Sequence, residues 1–251
     1  MILRLAPYLF GLLALVLWEA AVRLAEVPVY IIPGPTVVAA AFLADPEGLL
    51  VSLASTLTVT FVALLVAAIL GASMAIAMAT SRMAQAAIQP WAVALQVTPL
   101  PAIAPLIIIW VGDPFTSLVV CATIVAFFPL FANTATGLAS PPPELGDLFR
   151  LYGAGRWRTL VLLRLPAALP YFLSGLRISG GLALVGAVVA ELVAGSGGFA
   201  SGLAYRILEA SFRLEMPRMF AALMLLALAG ITINFGLGAF GRLVLRRWGD
   251  A

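Results

Sequence analysis

PPPELGDLFRLYGAGRWRTLVLLRLPAALP, residues 141–170, is the stretch on which the reading turns. Long apolar runs flank it, yet it holds Arg150, Arg156, Arg158 and Arg164. Leu145, Leu148, Phe149 and Tyr152 recur at i, i+3, i+4 and i+7, which makes one apolar helical face. Pro143 suits a first helical turn, and Glu144 is favourable at a helix N-terminus. Gly153 is a C-terminal stop, because glycine accepts the left-handed conformation. Gly155 allows a second turn, and a short helix from Arg156 leads on to Leu165-Pro166. A helix of this kind has two uses at a membrane face. It inserts into a groove on a partner, or it rests on lipid headgroups with Arg150, Arg156 and Arg158 near anionic lipid. The residue pattern alone leaves both open.

Composition sets the class independently. The chain is 63% hydrophobic and 10% charged, with a mean hydropathy of +1.13. A soluble domain carries more charge. Each crossing takes roughly 20 apolar residues, so this length accommodates about six membrane helices with short loops. The expected fold is an all-α membrane protein with no soluble domain beside the helices. All 14 basic residues are arginine, and there is no lysine and no histidine. That excludes a P-loop lysine, so the chain is not an ATPase. It also excludes zinc-protease motifs and Ser-His triads, leaving no catalytic or metal-ligating set. Cys121 stands alone, so no intrachain disulfide forms.

The expected spans are residues 9–24, 53–79, 86–110, 115–138, 167–194 and 218–245. Glu19 and Arg23 fall where a cleavage region is small and neutral, so the first span reads as an uncleaved anchor. Turn formers fill 27–48, with a short helical run from Val37 to Leu43 after Thr36. Residues 1–50 thus form an N-terminal span with an outer segment, and 51–248 the core. Arginine placement orients the set. With the N-terminus inside, nine arginines fall on inner loops, including Arg82, Arg156 and Arg242. Arg23, Arg206, Arg213 and Arg218 fall outside, and Arg177 lies within the fifth span. The excess is cytoplasmic, as positive-inside topology requires. Residues 140–166 are then a cytoplasmic loop, and both termini are cytoplasmic.

Three features lie inside the spans. The third carries Gln96, Thr98, Pro99, Pro101 and Pro105; proline removes a backbone donor and disrupts the helix. Broken backbone survives in a bilayer only against protein or a watery cavity, so this span lines a pathway or a helix interface. In the fifth, Gly175, Ser179, Ala183 and Ala187 recur every four residues, with Glu191 next on the same row. Small residues at that spacing let helices approach closely, within one copy or between two. Gly230, Asn234 and Gly238 repeat the pattern in the sixth. Glu191 reads as a gate, an arginine partner or a hydrated interfacial group. Outside, Phe199 to Pro217 reads as a short amphipathic surface helix bearing Leu203, Ile207 and Leu208.

The whole layout resembles the permeases of binding-protein-dependent ABC importers. In that family the cytoplasmic coupling loop reads E-A-A, three residues, G, nine residues, I, one residue, L-P. Here Asp147-Leu148-Phe149 stands in place of E-A-A, Gly153 at G, Leu163 at I, and Leu165-Pro166 at L-P. Ile32-Pro33-Gly34-Pro35-Thr36, Ala104-Pro105-Leu106, Trp110-Val111-Gly112 and Phe127-Phe128-Pro129 are similar to the nitrate, sulfonate, taurine and bicarbonate branch. That branch also includes permeases for pyrimidine-type vitamin precursors.

The resemblance implies a type I importer permease fold in a bacterial inner membrane. It implies a homodimer, two ATP-binding cassette subunits that bind ATP and magnesium inside, and one periplasmic binding protein outside. No cofactor and no nucleic acid is implied for this chain. Asp147, Leu148, Leu151, Tyr152, Gly153, Ala154, Arg156, Trp157, Leu165 and Pro166 would couple to the ATPase. Gln96, Pro99, Pro101, Gly175, Ser179, Ala183, Ala187 and Glu191 would line the pathway or the dimer interface. The substrate class would be a small anion or a vitamin-precursor heterocycle. The alternatives are a permease of another ABC importer branch, and a secondary transporter. The latter needs coupling-ion carboxylates in the membrane, where only Glu19 and Glu191 stand.

Overall fold

A computed structural model describes residues 2–195 and 201–249. Its elements are α1 (Ile2–Leu24), α2 (Pro35–Ala44), α3 (Pro46–Thr80), α4 (Arg82–Val97), α5 (Leu100–Val111) and α6 (Pro114–Ala139). They continue as α7 (Pro143–Leu151), α8 (Arg156–Thr159), a π-helical turn (Leu160–Arg164), α9 (Leu165–Ala194), α10 (Leu203–Phe212) and α11 (Met216–Gly249). No strand occurs among the described residues. The fold is all-α, as composition requires.

Among the described residues, four helical runs are long and apolar enough to cross a membrane: Pro46–Thr80, Pro114–Ala139, Arg156–Ala194 and Met216–Arg246. The expected straight span at 86–110 is instead a bent pair, with α4 and α5 meeting at 106°. Pro99 has no N–H to continue α4, and Thr98 before it is extended, with φ −77 and ψ 120. The pair is a fifth span if counted as one. The first expected span lies on α1.

The fifth expected span also differs. Its helix does not start at Ala167 but runs from Arg156 to Ala194 through the π turn. The cause is Pro166. Its ring crowds the carbonyl four residues back and offers no N–H to it. The wider turn just upstream absorbs that conflict, with the Leu165 N–H reaching Leu160 O.

The chain divides into two compact units. Met1–Ser55 and Gly195–Leu228 form one, and Thr56–Ala194 with Ala229–Ala251 the other. In the first, Val38, Leu49, Leu203, Ala221 and Ala222 form a core against Trp18, Phe42 and Phe220. The rings of Trp18 and Phe220 lie 5.9 Å apart. Glu19 accepts from the N–H and hydroxyl of Thr36 at 3.0 and 2.8 Å, which caps α2. The short helical run expected at 37–43 is α2. The amphipathic surface helix expected over 199–217 is α10, on which Leu203 is buried; Phe199 lies outside the described residues. Arg206 donates to Ser52 Oγ at 3.1 Å and pairs with Glu209, and Arg218 pairs with Asp45 at 2.6 Å.

In the second unit, α6 and α9 form the spine. Around it lie cores built on Phe127, Phe131 and Leu138, on Val59 and Ala63, on Leu64 and Leu130, and on Leu100 and Cys121. Outward faces stay apolar: Ile109, Trp110 and Phe235 are exposed. A water-soluble surface does not present this much apolar side chain, whereas lipid solvates it.

Candidate functional site: coupling segment and membrane seam

The segment 141–170 folds as its residues dictate. Pro143 opens α7 and Glu144 sits in its first turn. Gly153 ends it with φ +66. The Gly153 N–H donates to Arg150 O at 2.9 Å, and the Ala154 N–H to Phe149 O at 2.8 Å. This paired closure is the Schellman stop that a left-handed glycine permits. No residue of α7 is buried. Phe149 alone of the apolar face is half-covered. Leu145 and Leu148 are exposed, Leu151 is 84% exposed, Tyr152 85% and Trp157 72%. Leu148, Phe149, Tyr152, Ala154, Arg158 and Leu162 line a hollow of about 310 Å³.

Behind α7 lies a wider groove of about 1140 Å³, floored by the ends of α3 and α6. Arg82, Arg150, Arg156 and Arg164 line it, with Asp147 their one carboxylate. Arg150 pairs with Asp147 at 3.3 Å on the surface. Arg164 is half-buried and donates to Ala79 O at 2.9 Å. It therefore caps the last turn of α3 and fixes the loop to that helix. Leu165 and Pro166 are half-buried behind it. Arg164 was not singled out from sequence, because a carbonyl partner 85 residues away leaves no local signal.

The small-residue row belongs to the seam between α9 and α6 of the same chain. Ser179 donates to Ala126 O at 2.6 Å. Ala183 and Ala187 are 0% exposed, packed against Ala126, Leu130, Ala122 and Val119. A Cβ on Gly175 would stand 3.0 Å from Asn133 Cβ and 3.1 Å from Pro129 O. On Gly186 it would stand 2.8 Å from Ala122 Cα, and on Gly137 2.8 Å from Ala168 Cα. Of the two uses the spacing left open, packing within one copy is the one present. In the single chain the Ala183 and Ala187 side chains are enclosed against α6.

Glu191, next on that row, is 4% exposed and accepts from Thr56 Oγ1 at 2.9 Å. It is a buried group bridging α9 to α3, not a hydrated interfacial one. Gln96, Pro99 and Pro101 sit around the α4–α5 bend with exposed side chains. Leu100 and Ala104 anchor the far side of that bend to Cys121 and Ala190. The turn into α6 is capped by Asp113, whose carboxylate accepts from the Thr116 N–H at 2.7 Å and from its hydroxyl. Those two bonds hold the Asp113 carboxyl below the ordinary range.

One further polar pair lies at membrane depth. Arg177 on α9 donates Nη2 to Asn234 Oδ1 on α11 at 2.8 Å, and Nε to the same oxygen at 3.2 Å. The arginine remains exposed. Its stem crosses Gly238, where a Cβ would stand 3.4 Å from Cζ.

These elements make a polytopic helical bundle that carries an exposed, glycine-terminated helix. Residues 67–250 match the family model for binding-protein-dependent transport system inner membrane components. A probable ABC transporter permease protein of Haemophilus influenzae is 34% identical over 93% of this chain and 94% of its own length. The formylaminopyrimidine transport permease protein ThiX of Halalkalibacterium halodurans is 32% identical, covering 90% and 89%. The riboflavin transport system permease protein RibX of Chloroflexus aurantiacus is 37% identical, covering 94% and 87%. A crystal structure of an amino acid ABC transporter superposes with a TM-score of 0.64 at 19% identity, covering 80% of this chain and 97% of that one. That likeness concerns the fold. The chain belongs to the binding-protein-dependent transport system inner membrane components, the permeases of ABC importers. It is a multi-pass membrane protein of the type I permease fold.

Proposed function

We propose that this permease forms the translocation pathway of an ATP-driven importer and that residues 140–166 couple it to a separate ATPase. The observation that carries this reading is α7. A nine-residue helix with no buried residue ends in a left-handed glycine and is followed by exposed Tyr152 and Trp157. Helices that bury nothing in their own chain gain their order from a partner. Leu148, Leu151 and Tyr152 are the anchors, and Asp147, Ala154, Arg156 and Trp157 surround them. Gly153, Leu165 and Pro166 shape the segment, and Arg164 ties it to α3. ATP and magnesium would sit in the partner, and ATP would act through its different affinity for two conformations.

Family membership supports the rest of the proposed assembly. The working unit is two copies of this chain, two ATP-binding cassette subunits and one binding protein outside, in a bacterial inner membrane. The carried solute is a small organic or inorganic anion or a vitamin-precursor heterocycle, the second class named in the relatives that carry formylaminopyrimidine and riboflavin. Both termini face the cytoplasm. A cysteine replacing Arg156 should react with impermeant thiol reagents only from inside, and one replacing Arg206 only from outside. Labelling of both from one side would overturn this orientation. Reconstitution of the permease with its ATPase and binding protein in vesicles tests the function itself. The expected result is ATP-dependent uptake that the double change Leu148→Ala, Tyr152→Ala abolishes. Uptake without any ATPase subunit would refute it.

A further inference from the structure

Arg177 stands 12 residues past Leu165, roughly 18 Å along α9 at about 1.5 Å per residue. Asn234 lies in the middle of α11, with one full half of that helix on either side. The pair therefore sits near the middle of its spans, beyond the reach of headgroup phosphates in a hydrocarbon layer about 30 Å thick. Exposed arginine facing lipid at that depth is costly. Such groups face water, a partner or a ligand instead.

Arg177 has its ligand geometry half used. One edge of the guanidinium is spent on a neutral amide oxygen, and no carboxylate pairs with it among the described residues. Asn234 thus orients the group without neutralising it. A second copy of this chain supplies no counter-charge either. Of the 11 acidic residues, only Glu19 and Glu191 fall inside the expected spans. Glu19 is bound to Arg23 and Thr36, and Glu191 is buried. Beside Arg177 the surface is open. A Cβ on Gly181, one turn further along α9, would meet nothing within 4 Å. Ser174, one turn earlier, is exposed.

We infer that Arg177, seated on Asn234, is the in-membrane binding site for an oxyanion of the transported solute, a carboxylate, sulfonate or phosphate group. A planar guanidinium with a free edge meets such a group through two parallel hydrogen bonds. The inference deepens the pathway reading above and rests on it: the face of α9 opposite the seam lines the pathway. It narrows the substrate class to the anionic one.

The test reads the local field without knowing the solute. The full chain, in membranes with its partners, carries Gly181→Cys or Ser174→Cys in a Cys121→Ser background. The probes are 2-sulfonatoethyl methanethiosulfonate and its trimethylammonioethyl counterpart, one negative and one positive. The anionic reagent should react faster relative to the cationic one than it does with a free thiol. Arg177→Gln should lower that ratio by about tenfold, and Arg177→Lys should largely keep it. Methanesulfonate should slow labelling by the anionic reagent, which decides the matter if Arg177→Gln fails to insert. No labelling at either position, a ratio unmoved by Arg177→Gln, or no protection by methanesulfonate would overturn the assignment. Unimpaired ATPase assembly after the α7 mutations would break the coupling reading and leave this ratio untouched, so the two failures are distinguishable.

Discussion

The seam between α6 and α9 and the coupling helix α7 solve opposite problems with neighbouring stretches of one chain. In the seam, Ala183, Ala187 and Ser179 are fully enclosed, and glycines bring backbone against backbone. In α7 nothing is enclosed, and Leu151 and Tyr152 stand in the open. Helices in lipid gain little from apolar burial, so they associate by close approach and hydrogen bonds. Small residues serve that purpose. A helix outside the membrane keeps large apolar side chains for a partner that will cover them. The difference separates residues that hold this chain together from residues that hold it to something else.

Bulk in the seam should have the largest effect. Gly186→Val or Ala183→Phe pushes α9 off α6, and the nearest atom at Gly186 is backbone that cannot swing aside. The expected cost is about 3 kcal/mol or more, seen as loss of folded monomer in detergent. A folded, transport-competent Ala183→Phe would break the comparison. Next comes the double change Leu148→Ala, Tyr152→Ala. It should leave thermal stability nearly unchanged, since neither side chain is buried. It should weaken ATPase association about thirtyfold or more, as removal of an interface anchor does. A marked fall in the stability of the isolated chain would mean that α7 is structural after all.

Gly153→Val sharpens the same contrast. Its φ of +66 costs a branched residue about 1–2 kcal/mol. The strain is local to the stop of α7, so insertion should survive while solute-stimulated ATP hydrolysis is lost. Normal coupled rates in the assembled variant would show that the stop is dispensable. The smallest effect concerns the cap of α6. Two Thr116 hydrogen bonds hold the Asp113 carboxyl low, so the charged form is favoured in the folded state. That contribution is complete above the ordinary carboxylate range and fades as pH falls through the lowered folded value. Asp113→Asn should therefore lower stability slightly at neutral pH, converge on the parent at low pH and so flatten the acid limb of the profile. An acid limb unchanged by the mutation would remove Asp113 from the account.

What could be read in the sequence follows from how local each cause is. The stop of α7 was legible because one glycine and its left-handed turn decide it. The row at 175, 179, 183 and 187 was legible as close packing, but not its partner: α6 and a second copy would ask for the same small residues. Pro99 announced a break, while the 106° angle and the packing of Leu100 and Ala104 with Cys121 and Ala190, far along the chain, leave no local signal. Glu191 read as a hydrated or gating group because its partner, Thr56, is 135 residues away. The π turn before Pro166 escaped notice, since a proline after a loop reads equally well as the start of a helix. Arg177 was visible as a charge inside a span, but its seat on Asn234 depends on how α9 meets α11.

The central claim, that α7 is the joint to a separate ATPase, is met most directly by cross-linking. Tyr152→Cys in a Cys121→Ser background places one accessible thiol at the end of the coupling helix. A short bifunctional reagent, applied to the assembled transporter, should join this chain covalently to its ATP-binding subunit. Leu148→Cys should do the same, and Phe235→Cys, on an exposed apolar face of α11, should not. Adducts to the ATPase from Phe235 but none from Tyr152 or Leu148 would contradict the account.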